Sequence, residues 1–308
     1  MFNRGVVRDL VWRYVLTDVA NRNIEFWETH EAFTSIGADG RNDFARYEAD
    51  VDRSLRMRIS AEELSATKPR EHGVVIANYF FDSLSMDVWE IDENELHACC
   101  PRIIVNEDAK HLSQEEHKIL EHITFEWEKV KPAGATYARK EWSHVVNDMA
   151  IQAGSGTFML PVGAFEAIET LEAWCSGPML VLATDKGYPN LSYYQGRGVP
   201  DMVHHGCFSF NVNFAALESW FKFRGGTGLL PSYQHGLIEV AAMVSKRGKE
   251  SLPRLCFEAD TLEQFSPDEY HRVTRRCEEN ELDLGRSKYI FQSVRGRSRC
   301  GCRDWYFG

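Results

Sequence analysis

A chain of 308 residues, 44% apolar and 26% charged, is long enough to bury a substantial core as one large domain or two smaller ones. Its net charge of -11 excludes a surface built to coat nucleic acid, which needs a basic face. No apolar run reaches the length that spans a bilayer, so neither nucleic acid nor membrane is an expected partner.

The opening MFNRGVVRDLVWRY lacks the apolar segment and cleavage site of a secretory signal. Its three arginines favour a mitochondrial presequence, while Asp9 and the early strand pattern count against one. The expected compartment is the cytoplasm, with the mitochondrion as alternative. Eight cysteines without repeated spacing fit free thiols in a reducing compartment.

Tyr14-Val15-Leu16-Thr17 reads as a short strand ending at Asp18. Asn21 to Ile36 carries Ile24, Trp27 and Ala32 at near-helical spacing and is stopped by Gly37 and Gly40. Asp43 to Tyr47 is the next strand, followed by acidic Glu48 and Asp50. After a polar loop around Lys68-Pro69, the apolar run Val74 to Ala77 reads as a buried parallel strand that leads into Asn78-Tyr79-Phe80-Phe81-Asp82-Ser83. Val88 to Ile91 and Arg102 to Val105 pair as a hairpin, and residues 106 to 150 read as helices or an insertion. Val162 to Trp174 forms an amphipathic helix that ends near Gly177-Pro178. It feeds the strand Met179 to Thr184, which ends at Asp185-Lys186-Gly187. Phe208 to Val212 is a short strand before a helix through Trp220; Gly225 to Gly228 is a turn, and Leu237 to Ala241 a late strand. This strand–helix rhythm argues for a parallel sheet with helical cover.

Polar residues at the carboxyl ends of such strands sit where open α/β sheets place their ligands. Asp18 suits hydrogen bonds to ribose hydroxyls, and Glu48-Ala49 suits a place beside an adenine. Asp18 equally suits capping of the helix that starts near Val19.

The order of YVLTDVANRN, NDFARYEAD, VVIANYFFDSL, LVLATDKGY and HGCFSFNVNFAAL resembles the MidA-type S-adenosylmethionine-dependent methyltransferases, roughly from Tyr14 to Val244. Asn78 to Ser83 matches that family's Asn-Glu-Phe-Phe-Asp-Ala, Asp185-Lys186-Gly187 its Asp-Tyr-Gly, and Asn211 to Phe214 its His-Val-Asp-Phe. The resemblance implies a Rossmann-like α/β fold with a largely parallel sheet and helices on both faces. Residues 1–87 and 151–292 would be the two parts of the core, 88–150 an inserted lobe and 293–308 a disordered tail. It implies S-adenosylmethionine as cofactor and a protein or small molecule as methyl acceptor. Asp18, Glu48, Ala49 and Asn78 would bind the cofactor, Asn78 and Asp82 would border the methyl group, and Asp185 and His205 would face the acceptor.

Several departures accompany the resemblance. Tyr79 stands where the family has Glu, Lys186 where it has Tyr and Asn213 where it has Asp. Fewer acidic groups weaken the case for a cationic arginine acceptor, since a buried guanidinium needs anionic partners. The family's opening strand and Gly-x-Gly-x-Gly turn have no counterpart before residue 14, where only Gly5 occurs. The expectation is an N-terminally incomplete fold whose sheet has unpaired edges that favour self-association. A rival glycine turn, Ala153 to Thr157, has Ile151-Gln152 as a poor strand lead-in and Pro161 behind it, and reads as a loop entering the helix at Val162. Cys277, Cys300, Cys302 and His271 lack paired Cys-x-x-Cys spacing, so no metal site is expected. The alternative to an active methyltransferase is a non-catalytic binding or assembly protein that keeps the fold.

Overall fold

The computed structural model describes residues 13–31, 33, 40–105, 122–132, 136–199, 203–204, 208–230 and 238–245. The strand after Gly177-Pro178 organises the largest sheet. Its alternation puts Met179, Val181, Ala183 and Asp185 on a fully buried face and leaves Leu180, Leu182 and Thr184 half-buried on the other. In chain order the elements are β1 (Tyr14–Asp18), α1 (Asn21–Thr29), β2 (Asn42–Arg46), β3 (Ser54–Arg56), β4 (Glu63–Ser65), β5 (Gly73–Asn78), β6 (Asp87–Asp92), β7 (Glu95–Val105) and β8 (Ile123–Val130). They continue with α2 (Lys140–Ala153), β9 (Gly156–Leu160), α3 (Val162–Ala173), β10 (Met179–Tyr188), β11 (Val203–His204), β12 (Phe208–Ser209), β13 (Val212–Asn213), α4 (Phe214–Phe223), β14 (Thr227–Leu229) and β15 (Ile238–Val244).

Parallel pairing joins β5 to β10, with Asn78 opposite Thr184, and β13 to the far end of β10. On the other side of β10, β15 runs antiparallel and carries β14 beyond it. β1 and β2 make a separate parallel pair, and β8-β7-β6-β9 make a wholly antiparallel sheet. The architecture is therefore mixed, not the largely parallel sheet expected from the strand–helix rhythm. For β6 and β7 the reason is local: the turn Glu93-Asn94, both residues with positive φ, returns the chain beside itself, whereas β9 beside β6 and β15 beside β10 are antiparallel pairings of segments distant in sequence. Among the described residues β1 and β5 each have one ladder partner and lie in different sheets.

Other boundaries also move. The hairpin at Val88 closes on Leu96 to Cys99, while Arg102 to Val105 pair with β8, a strand inside the stretch read as helices or insertion. Ile151 and Gln152 end a helix, and Gly156–Leu160 is a strand bound to β6, not a loop. Asp185-Lys186-Gly187 belong to β10 itself, which runs on to Tyr188. The expected strand Phe208 to Val212 is broken into β12 and β13. The first expected helix, Asn21 to Ile36, is observed as Asn21–Thr29, and residues 32 and 34–36 lie outside the described residues.

The main core is shared by the large sheet, the antiparallel sheet and α2, α3 and α4. At its centre Phe165 of α3 stacks on Trp220 of α4, 5.0 Å between ring centroids, with both side chains fully buried. A smaller cluster of Ala45, Tyr47, Ala49, Leu55, Met57 and Trp174 ties β1 and β2 to α3, and Phe80 and Leu84 pack against it. Among the described residues, no helix is long and apolar enough to cross a membrane.

Candidate functional site

β5 ends at Asn78 beside Thr184 while β10 runs on, and the turn that follows β5 is built on the carboxylate of Asp185, the next residue of β10. Tyr79 takes a left-handed φ of 48° and donates its N–H to the Thr184 carbonyl at 2.9 Å, which swings the chain out of the strand. A single turn of 3-10 helix follows at Phe81–Ser83. Its first N–H groups have no partner within the turn. Asp185 Oδ2 accepts from the N–H groups of Phe80 at 3.1 Å, Phe81 at 2.8 Å and Asp82 at 3.2 Å. Oδ1 accepts from the Lys186 N–H at 2.8 Å.

This arrangement brings Asn78, Asp82 and Asp185 together, with different exposures. Asn78 is exposed at the strand end. Asp82 is 8% exposed, and burial pushes its pKa up while the nearby Lys186 ammonium pulls it down. The Lys186 ammonium also lies 6.0 Å from the centroid of the Tyr79 ring, so two of the departures noted in the sequence meet over one turn. Asp185, expected to face the acceptor, is 0% exposed beneath the turn and acts as a positioning residue. Burial, and then the Asp82 carboxyl, push its pKa up to about 7, against the pull of its backbone N–H donors.

That shift has a definite sign in stability. Between the ordinary carboxyl value of 3.8 and about 7, the folded chain holds a proton at Asp185 that the unfolded chain has lost. The contribution is fully present below that lower value and is lost as pH rises through the folded-state pKa. Urea unfolding followed from about pH 5 to about pH 8 will therefore show a falling contribution that Asp185→Asn removes, with a slope of up to about 1.4 kcal/mol per pH unit. Equal slopes in the parent chain and the variant would refute it.

The second group of expected residues lies at the end of β1 and β2. Asp18 Oδ1 accepts from the Ala20 N–H at 2.7 Å, and Oδ2 from Asn23 Nδ2 at 2.8 Å. It thus braces the entry to α1, but it is not the helix cap that its position in sequence equally suited: the N-cap is Ala20, with no side-chain cap bond. Each carboxylate oxygen retains a further lone pair for a hydroxyl donor. The Glu48 carboxylate pairs with Arg46, and the Glu48 N–H donates to Asp52 Oδ2 at 2.7 Å. Ala49 is buried beside Tyr47. Phe80 and Leu84 of the first group pack on this same cluster, so the two groups are coupled through an apolar contact. His205 lies outside the described residues.

Two polar residues do structural work that sequence reasoning did not assign. Asp43, 1% exposed, accepts from the N–H groups of Phe44 at 2.8 Å, Ile59 at 2.8 Å and Ser60 at 3.0 Å. Burial raises its pKa, but hydrogen bonds from Ser60, Ile59 and Phe44 outweigh that and hold it below the usual range. An Asp inside a buried strand was the available signal. Asn213, fully buried, caps α4 by accepting from the Ala216 N–H at 3.1 Å and donates to the Met159 carbonyl at 2.9 Å. A cavity of about 610 Å³ between α2 and α4 lies apart from these groups. Its two acids are already engaged, Asp148 by Ser219 Oγ at 2.6 Å and Gln152 Nε2 at 2.7 Å, and Glu218 by Lys222 at 2.8 Å.

No family model matches the chain, and no curated protein matches it. In three dimensions it is similar to a candidate methyl transferase from Burkholderia thailandensis bound to S-adenosyl-homocysteine, at 13% identity and a TM-score of 0.44, over 76% of this chain and 64% of that one. It is similar also to the native crystal structure of an uncharacterized protein of the same superfamily and organism, at 14% identity and a TM-score of 0.44, over 76% of this chain and 67% of that one. The chain thus spans about two thirds of the length of both.

Proposed function

We propose that this chain is an S-adenosylmethionine-dependent methyltransferase of the kind its motifs resemble, with a protein or small molecule as acceptor. The observation that carries the reading is the clamped turn. Asp185, inside β10, accepts from the N–H groups of Phe80, Phe81 and Asp82 and so fixes the turn that follows Asn78 at the carboxyl end of β5, where α/β sheets bind their ligands. Asp18, with spare acceptor capacity, is the residue proposed for the ribose, and Glu48 and Ala49 those proposed beside the adenine. Asn78 and Asp82 would border the methyl group. The cofactor supplies an activated methyl on sulfur; the chain's residues have to orient the acceptor in line and exclude water. Tyr79 and Asn213, where the family has Glu and Asp, favour an acceptor other than a free cation. His205 remains a proposal for the acceptor side. The cytoplasm remains the proposed compartment, with the mitochondrion as alternative, and 88–150 the proposed lobe between the two core segments.

A second reading, a non-catalytic binding or assembly protein, is favoured by the edge at β5. There Val74 is 65% exposed and Ile76 61% exposed, on a strand with one partner among the described residues. Calorimetric titration with S-adenosylmethionine separates the two. Micromolar binding that Asp18→Ala weakens is the expected result; absence of binding overturns the first reading in favour of the second.

A further inference from the structure

β7 outruns its neighbour β6. Glu95 to Cys99 pair with β6, whereas Ala98 to Val105 pair with β8, so Pro101 to Val105 and Ile123 to Trp127 form a two-stranded arm beyond the sheet. Directly opposed residues share a face of such an arm. One face carries Pro101 opposite Trp127, Ile103 opposite Phe125, and Val105 opposite Ile123. The other carries the Arg102–Glu126 ion pair at 2.9 Å, with Ile104 opposite Thr124. At its base the apolar face joins the small cluster of Val88, Cys99 and Met159, on which Trp127 packs. Farther out, Ile103 is 60% exposed and Val105 45% exposed. Two strands alone are marginal in water, and stability calls for three or more with a shared apolar face. Among the described residues the outer edge of β8 has no ladder partner, and an open edge is a template for another strand.

We propose that this edge is an interface between two copies of the chain, paired β8 to β8, antiparallel, about a two-fold axis through Phe125. Charge selects both the occupant and the register. A two-fold centred on Glu126 sets that carboxylate against its own copy. One centred on Trp127 sets Glu126 against Glu128. Registers centred between residues set apolar side chains against acidic ones. Centred on Phe125, the pairing is free of these conflicts. The two Phe125 rings face each other, Ile123 meets Trp127, Thr124 meets Glu126, and His122 meets Glu128. A centre nearer the amino end shortens the overlap. The result is a four-stranded arm with one continuous apolar face, contributed by both copies. It lies at a different edge from β5, and does not depend on the proposed methyl transfer.

Sedimentation velocity on the full chain tests it, with dimer expected to grow across the micromolar range. The double variant Ile103→Lys with Val105→Lys changes exposed positions and leaves the fold intact by circular dichroism, while weakening the dimer by about tenfold or more. The matching variant at the other edge, Val74→Lys with Ile76→Lys, leaves the dimer unchanged. In the register proposed, Phe125→Cys gives a covalent dimer on mild oxidation above the level of the parent chain, and Thr124→Cys does not. A chain that stays monomeric, a dimer lost through the Val74 and Ile76 variant instead, or cross-linking at Thr124→Cys in place of Phe125→Cys would overturn the proposal.

Discussion

Asp185→Ala is expected to lower the free energy of unfolding by about 4 kcal/mol. The carboxylate is fully buried and accepts from three consecutive backbone N–H groups of the turn after β5, and from Lys186. Truncation leaves those donors with no acceptor in a site closed to water, and each such orphan costs about 1–3 kcal/mol. The loss stays below the sum because the turn relaxes and readmits water. Asp185→Asn keeps one acceptor oxygen and places an amide donor where the other stood, so about half the loss is expected. Urea unfolding followed by circular dichroism measures both. A change within about 0.5 kcal/mol for Asp185→Ala would show that the turn is held by its apolar contacts instead. The same substitution releases the backbone from Phe80 to Asp82, so ligand binding at the proposed site is expected to fall with it.

Gly187→Ala is expected to cost about 2–4 kcal/mol, an unusual loss for a single methyl group. A Cβ at this position would lie 2.3 Å from the Val212 carbonyl oxygen and 2.8 and 2.9 Å from atoms of the Phe214 ring. The first of these is backbone within the β10–β13 ladder, where Gly187 is paired with Val212, and it cannot swing aside as a side chain can. Relief requires the ladder to part, which would move the Asn213 cap and the fully buried Phe214 that starts α4. Gly198→Ala is the matched control. A Cβ there has nothing within 4 Å, and a change within about 0.5 kcal/mol is expected. Equal effects at the two glycines, measured by thermal unfolding, would contradict the packing account.

Gly187 also shows why sequence and structure divide the information as they do. Asp185-Lys186-Gly187 was legible as a polar group at a strand end, yet the strand runs through it. What lies across the ladder, the Val212 carbonyl, is 25 residues away in sequence and leaves no local trace. Asp185 is similar. Its acidity beside an apolar run was visible, but its partners sit more than 100 residues upstream, at Phe80, Phe81 and Asp82. Asp18 is the opposite case: its partners, Ala20 and Asn23, are close in sequence, so a role at the start of α1 was readable from the local pattern, although the N-cap itself is Ala20.

Local signals of period and punctuation were enough to locate β1, β2, β5, α3, β10 and β15, because the apolar runs and glycine or proline stops that define them lie within the elements. They also brought Asn78 and Asp82 forward together. Pairing direction was decided by tertiary structure. An apolar run fits a parallel or an antiparallel neighbour equally well, and β15 beside β10 and β9 beside β6 chose the latter. Exposure was decided there too. Val74 and Ile76 read as buried and are open, while Asp185 read as open and is buried, because burial depends on which neighbours arrive from elsewhere in the chain.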